Sequence, residues 1–369
     1  MKKNILLAVV LLLSSCKAFQ YKNEEHFNKN IHNLWDNYYS KTFDQTANFN
    51  LLVVTNRKSK GQDFGCTQKS YGAEYDTKAK YGSCVVNVPK NHNVGEIEVV
   101  SDTNKSLNNY FKIVGEKPMQ QSDLMSYLKS SNRYPLVFVH GFNVPYEEAI
   151  MRASQITYDL KYQGPVVLFT WPAGSSDENG FFEENMINKT YENNFANARD
   201  SVFIFRSFIN ELQKKGIKIN LIVHSMGHQV VLPALTKLGE SEIKSTVINK
   251  LILNAPDFEV EQFKKSVPNI KKTADSITVY CSYNDRAMSA SKTFNKNERL
   301  GACALVDNVD VINVSAVDDP SLLGLGHGYY SSRSILVDVF QNLIGIEAPQ
   351  RLFIKKANSE GKEKYFLRK

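Results

Sequence analysis

The sequence contains no apolar run long enough to cross a bilayer. Its longest, residues 5–13, is nine residues, whereas a spanning helix needs about 20. There is no internal repeat, which sets repeat architectures aside. Cysteine is scarce, five in 369 residues, and no Cys-x-x-Cys or clustered histidine spacing occurs, so no metal site is expected. The body of the chain also lacks a charge excess. Of the formal +7, two charges come from Lys2 and Lys3 and five from residues 351–369, leaving residues 4–350 neutral. A nucleic-acid-binding domain carries its charge as a patch on the folded body, so no nucleic-acid partner is expected. What is present is ordinary: 42% hydrophobic and 22% charged residues exclude a disordered or rod-like chain. The length suits one large domain or two.

The N-terminus reads as an address. Lys2 and Lys3 precede the apolar run, which ends in Leu13-Ser14-Ser15-Cys16. A charged start, a short apolar stretch and small residues mark an export signal. The ending resembles the lipobox of bacterial lipoproteins, which implies acylation of Cys16 as the membrane anchor, each buried methylene contributing about 0.8 kcal/mol. The expected organisation is a lipoprotein signal peptide over 1–16, a polar tether over 17–48, a folded domain over 49–347 and a basic tail over 348–369 that ends solvated. The expected location is the bacterial cell envelope outside the cytoplasm, periplasmic or outer-membrane.

Export changes how the remaining cysteines read. Cys66, Cys84, Cys281 and Cys303 are even in number, which favours disulfides in an oxidising compartment, although three connectivities are open. The local pairs 66–84 and 281–303 would close short loops worth about 3 kcal/mol each. Four buried thiols are the alternative.

Strand patterns cover residues 51–55, 84–88 and 96–101. From residue 134 apolar strands alternate with helices. Strands are expected at 136–139, 166–169, 217–223, 251–253, 277–280 and 309–314. Helices are expected at 145–162, 191–215, 227–237 and 331–344. Uniformly apolar strands separated by helices predict an α/β fold, a mostly parallel sheet with helices on both faces. Ligands in such sheets bind beyond the carboxyl ends of the strands, and the chemically capable residues fall there.

Ser225, in Val223-His224-Ser225-Met226-Gly227, stands where a buried strand runs into a helix, the setting of a nucleophile elbow. Val223 replaces the usual first glycine of that motif, and a plain N-cap serine is the alternative. A serine nucleophile needs a base and the base an orienting acid. Of the seven histidines, only His327, in a Gly-rich loop, follows Ser225 with an acid between, as the hydrolase chain order requires. Asp285 is the expected acid, with an ion pair to Arg286 as its alternative role. Asp257 is the rival acid, expected instead to cap a helix starting near Glu259. His140-Gly141-Phe142-Asn143 follows the strand at 136–139, so the N–H groups of Phe142 and Met226 are the expected oxyanion hole. Residues 181–184, aromatic and acidic, read as a lid or substrate wall, with a plain surface loop as the alternative.

Five motifs occur in order: Phe138-Val139-His140-Gly141-Phe142-Asn143, Phe169-Thr170-Trp171-Pro172, His224-Ser225-Met226-Gly227, Asn254-Ala255-Pro256-Asp257 and Asn284-Asp285-Arg286-Ala287. Together they resemble the bacterial alpha/beta-hydrolase family of unknown function catalogued as domain of unknown function 900. Val54-Thr55-Asn56-Arg57 resembles its N-terminal region. The resemblance implies an alpha/beta-hydrolase fold and a Ser225–Asp285–His327 triad but no substrate. The expected activity is hydrolysis of carboxylic esters, small-molecule or lipid, without a cofactor. A hydrolase fold kept as a non-catalytic binding or envelope-structural lipoprotein is the alternative.

Overall fold

A computed structural model describes residues 47–61, 64–90, 92–98, 109–174, 184–241, 245–318, 327–329, 332–358 and 361–368. The export signal, Cys16 and the tether lie outside them. The chain opens with β1 (Ala47–Ser59), β2 (Tyr71–Val88) and β3 (Lys112–Met119). Then follow α1 (Gln121–Ser130), β4 (Leu136–Val139), α2 (Tyr146–Asp159), β5 (Val166–Thr170) and α3 (Glu184–Lys214). Next come β6 (Ile219–His224), a single 3-10 turn (Ser225–Gly227), α4 (His228–Gly239), β7 (Ile248–Asn254) and α5 (Val260–Ile270). The last elements are β8 (Ala274–Cys281), α6 (Arg286–Asn295), β9 (Asp310–Asn313), α7 (Arg333–Leu343), β10 (Ile354–Lys356) and β11 (Tyr365–Leu367).

All eleven strands form one sheet in the order β10-β11-β9-β8-β7-β6-β4-β5-β1-β2-β3. The centre, from β1 to β11, is parallel, and antiparallel pairs close both edges. The expected mostly parallel α/β sheet is therefore present. Successive strand residues point to opposite faces, and both faces are buried. Val137, Val139, Leu221 and Val223 pack with Phe205 and Phe208 of α3, Val230 and Leu235 of α4 and Phe263 of α5. Leu136, Phe138 and Ile222 pack on the other face with Ile150 and Ile156 of α2 and Ile335 and Val339 of α7. This two-sided burial is why these strands are apolar throughout rather than alternating.

The strand order reverses at β4. Its chain successor β5 lies on one side and β6 on the other, with Val139 level with Phe169 and with Val223. Loops leaving β4 and β6 start from adjacent strand ends at this reversal, the place where such sheets bind ligands.

Several expectations need correction. Residues 96–98 are not a strand. The Glu98 carboxylate turns inward to the His92 ring and the Asn93 N–H, which folds the segment back on itself. Residues 348–358 and 361–368 are not a solvated end. β10 and β11 pair with each other, and β11 adds to β9, burying Ile354, Tyr365 and Leu367. Arg351 is buried against Asp338 of α7 at 3.1 Å. β3 and α1 were not expected, and α3 begins seven residues before the residue 191 expected for it.

Two disulfides form, Cys66–Cys84 and Cys281–Cys303, spanning 18 and 22 residues. They point to an oxidising, extracytoplasmic setting. Among the described residues no helix is long and apolar enough to cross a membrane. The Cys281–Cys303 bridge ties the end of β8 to the turn at Leu300–Ala302. Replacing Cys66 and Cys84 together by alanine should lower the unfolding free energy by about 3 kcal/mol through the freed unfolded chain. Urea denaturation of the purified protein checks this, and an unchanged midpoint would refute it.

Candidate active site

Ser225 is the first residue after β6, and its φ is +50°. That left-handed conformation is costly for a residue with a Cβ, and the surrounding packing imposes it. A Cβ built on Gly141 would stand 2.7 Å from Ser225 Cβ, and one on Gly227 would stand 2.5 Å from the His140 carbonyl oxygen. Only residues without side chains permit this approach of the β4 loop to the β6 turn. Met226 is fully buried beneath it, and its N–H lies in the first turn of a helix, where no carbonyl of the helix can accept it.

Asp285, 1% exposed, caps α6. Its Oδ1 accepts the Met288 N–H at 3.0 Å, leaving Oδ2 to accept from His327 Nδ1 at 2.7 Å. The two bonds fix both the plane of the carboxylate and the tilt of the imidazole. With Nδ1 donating to a carboxylate, Nε2 is the basic nitrogen, and it is buried without a hydrogen-bond partner among the described residues. The His327 ring lies 4.6 Å from the ring of His224, the residue before Ser225. Tyr329 packs edge-on against its other side, centroids 6.1 Å apart. Burial pulls the His327 pKa down. The Asp285 carboxylate, with Asp257 and Asp318 beyond it, overcomes this and holds the pKa above the ordinary value. Burial, and then the His327 charge, pushes His224 well below its own, and burial pushes His228 down to about 3. The neighbouring imidazoles are therefore neutral and do not compete for the proton.

The rival acid is occupied elsewhere. Asp257 does not cap α5, whose N-cap is Glu259. Its buried carboxylate accepts from Tyr191 Oη at 2.8 Å and Ser291 Oγ at 2.5 Å and pairs with Arg299 Nε at 3.2 Å. Its backbone serves Ser225: the Asp257 N–H reaches the Ser225 carbonyl at 3.3 Å. The structure thus brings His327 to Asp285 and sets the His327 ring against His224, next to Ser225, without a hydrogen bond between Ser225 Oγ and His327 Nε2, while the Asp257 N–H braces the turn. The oxyanion candidates Phe142 and Met226 flank the same Gly141–Ser225 contact. Residues 181–183 lie outside the described residues, and residue 184 is described only as the start of α3.

Sequence reasoning missed the support beneath the β4 loop. Arg57, at the end of β1, and Thr170 and Trp171, at the end of β5, surround His140. Trp171 stacks on the imidazole at 5.3 Å and donates from Nε1 to the His140 carbonyl at 2.9 Å. The available signal was a cation three residues past the apolar run Leu51-Leu52-Val53-Val54, where a buried strand leaves a charge little solvent. Phe142 meets Tyr191 at 5.7 Å, and Tyr191 meets Phe294 at 4.5 Å, forming a partly exposed aromatic wall from the β4 loop to α6.

The backbone of Ser225 supplies a test independent of any activity. Ser225→Gly should be more stable than Ser225→Ala by about 1 kcal/mol, because only alanine keeps the left-handed penalty. Thermal denaturation compares the two, and an equal or reversed order would refute the strained turn.

No curated protein matches the chain. A family model described as alpha/beta hydrolase of unknown function (DUF900) matches residues 116–346, a stretch running from β3 past α7 and including the β4 loop, the Ser225 turn, Asp285 and His327. The chain belongs to the DUF900 family of alpha/beta hydrolases.

Proposed function

We propose that the protein is a serine hydrolase of carboxylic esters. The observation that carries this reading is the His327 imidazole, bonded through Nδ1 to a buried carboxylate and left with a bare, buried Nε2 beside a strained serine turn. His228 Nε2 is equally bare among the described residues, so what sets His327 apart is the carboxylate on its Nδ1, which orients the ring and favours its cation as a general base requires.

In the proposed reaction Ser225 Oγ attacks the ester carbonyl as its proton passes to His327 Nε2. The carbonyl π pair moves to oxygen, where the N–H groups of Phe142 and Met226 receive it. Collapse of this intermediate breaks the bond to the alcohol oxygen, and His327 returns the proton to the departing alcohol. Water then attacks the acyl-enzyme by the same path, releasing the carboxylic acid and restoring Ser225. Asp285 orients the imidazole and stabilises its cation. Each oxyanion donor is worth about 10²–10³ in rate. Esters are favoured over amides because their leaving groups demand least. The aromatic wall of Phe142 and Tyr191 offers apolar surface for the acyl or alcohol portion. The lipobox-like ending at Cys16 supports presentation on a membrane by an acyl anchor, outside the cytoplasm where disulfides persist.

The test is fluorophosphonate labelling of the full chain against Ser225→Ala. The wild type should label and the variant should not, and labelling in neither would leave the non-catalytic scaffold standing. Because protonated His327 cannot accept the serine proton, the labelling rate should fall as pH drops. Its midpoint should lie above about 6.5, the ordinary histidine value, since Asp285 raises the pKa. Asp285→Asn should move the midpoint down and slow labelling at least about 10³-fold. A midpoint unmoved by that substitution would overturn the assigned pair.

A further inference from the structure

Arg57 is 0% exposed, and among the described residues no carboxylate pairs with it. A buried cation without a counter-ion is expensive, so its contacts are informative. Nε donates to Thr170 Oγ1 at 2.9 Å, Nη1 to the Ala173 carbonyl at 2.6 Å and the Gly72 carbonyl at 3.2 Å. Nη2 donates to the Val144 carbonyl at 2.8 Å and faces His140 Nε2 at 3.3 Å. One guanidinium thus joins the ends of β1, β4 and β5. Burial lowers its pKa to about 9, which leaves it charged at neutral pH.

We infer that Arg57 is a positioning residue for the oxyanion site: it holds His140 in the tautomer protonated on Nδ1, and that tautomer fixes the direction of the Phe142 N–H. This rests on the hydrolase reading above. A guanidinium donates and cannot accept, so the His140 Nε2 that faces it must be the unprotonated nitrogen. Thr170 Oγ1, which accepts from Arg57 Nε, lies 2.9 Å from the same nitrogen and can donate its hydrogen to it. His140 is neutral, because burial and then the Arg57 charge hold its pKa well below the ordinary value. The proton therefore sits on Nδ1, which donates to the Gly141 carbonyl at 3.0 Å.

In a planar trans peptide the carbonyl and the following N–H point in opposite directions. Anchoring the Gly141 carbonyl on the imidazole thus aims the Phe142 N–H away from it. Neighbouring groups of the loop are engaged, the His140 carbonyl by Trp171, the Asn143 N–H by Asn194 Oδ1 at 3.0 Å and the Val144 carbonyl by Arg57. The Phe142 N–H has no acceptor among the described residues, which is the state an oxyanion donor needs before substrate arrives. With the opposite tautomer, Nδ1 would present a lone pair to a carbonyl oxygen, and the peptide would be free to turn.

The experiment combines imidazole ¹⁵N spectra of the full chain with fluorophosphonate labelling rates and ester kinetics on p-nitrophenyl butyrate. Wild-type His140 should show protonated Nδ1 and bare Nε2. Arg57→Met should lower kcat about 100-fold, the scale of one lost oxyanion donor, with KM within about threefold. Arg57→Lys, offered in case that variant does not fold, keeps the charge without the fork and should fall between. His140→Asn places an amide donor where Nδ1 stood and should retain activity within about tenfold, while His140→Gln places it at Nε2 and should lose about 100-fold. A purely structural Arg57 would make the Asn and Gln variants equally poor, which would overturn the inference. An Nε2-protonated His140 in a protein that labels would overturn it alone. An Nδ1-protonated His140 in a protein that never labels would overturn the hydrolase reading and this role with it.

Discussion

The site depends on one close approach, that of the loop after β4 to the turn after β6. Gly141 lies so near Ser225, and Gly227 so near the His140 carbonyl, that a single added carbon at either would fall inside contact distance. The sheet brings this about. Because β4 and β6 are hydrogen-bonded neighbours in register, Val139 opposite Val223, the residues following each strand are forced together whatever the loops prefer. The left-handed Ser225 is a consequence of that crowding. Strain of this kind persists only where the surroundings over-determine it, and here parallel ladders on both sides, the Asp257 N–H and the buried Met226 do so.

A second ordering principle is protonation. Three histidines at this edge, the buried His140 and His228 and the partly buried His224, are held neutral, and of these four His327 is the one raised by a carboxylate. Burial by itself would neutralise all four. The difference is the partner: His140 faces a cation and His228 a backbone carbonyl at 2.6 Å, whereas His327 faces Asp285. Asp285 can play that part because its other oxygen is held by the start of α6 and its strand is tied to the next turn by a disulfide.

Much of this was legible in the sequence where chemistry and burial coincide. β4 and β6 are apolar at every position because both faces are covered, so Leu136-Val137-Phe138-Val139 and Leu221-Ile222-Val223 announced themselves. Chain order at strand ends singled out Ser225, Asp285 and His327 as candidates, and the structure pairs the last two. The edges were not legible. β2 runs eighteen residues, but its outer part is half exposed and rich in Gly, Lys and Tyr, leaving no apolar run to find. β10 and β11 are three residues each, too short for a period, and their lysines read as a charged tail although Ile354, Tyr365 and Leu367 are buried. Asp257 looked like a cap because a helix follows it, but its hydroxyl and guanidinium partners come from α3, α6 and Arg299. The role of Arg57 was out of reach because its partners other than Gly72 lie 83, 87, 113 and 116 residues away. Only the strand order makes them neighbours.

That same strand order distributes charge around the ends of β4 and β6. Arg57 stands behind the β4 loop, touching the imidazole that anchors it, while Asp285 stands behind His327 and Asp257 behind the Ser225 turn. In the proposed reaction negative charge grows on the carbonyl oxygen beside the β4 loop and positive charge grows on His327. Fixed groups of the opposite sign already lie on each side, in surroundings where water cannot screen them. Arg57 makes no contact with Ser225 or His327, yet its cost in desolvation is intelligible on these terms. A carboxylate partner for Arg57 would remove that cost and also cancel the field, and a leucine would remove the cost and release the loop. The buried guanidinium held by carbonyls, a hydroxyl and one imidazole nitrogen keeps the charge uncompensated and the loop fixed, which is the combination that charge separation between two adjacent strand ends requires.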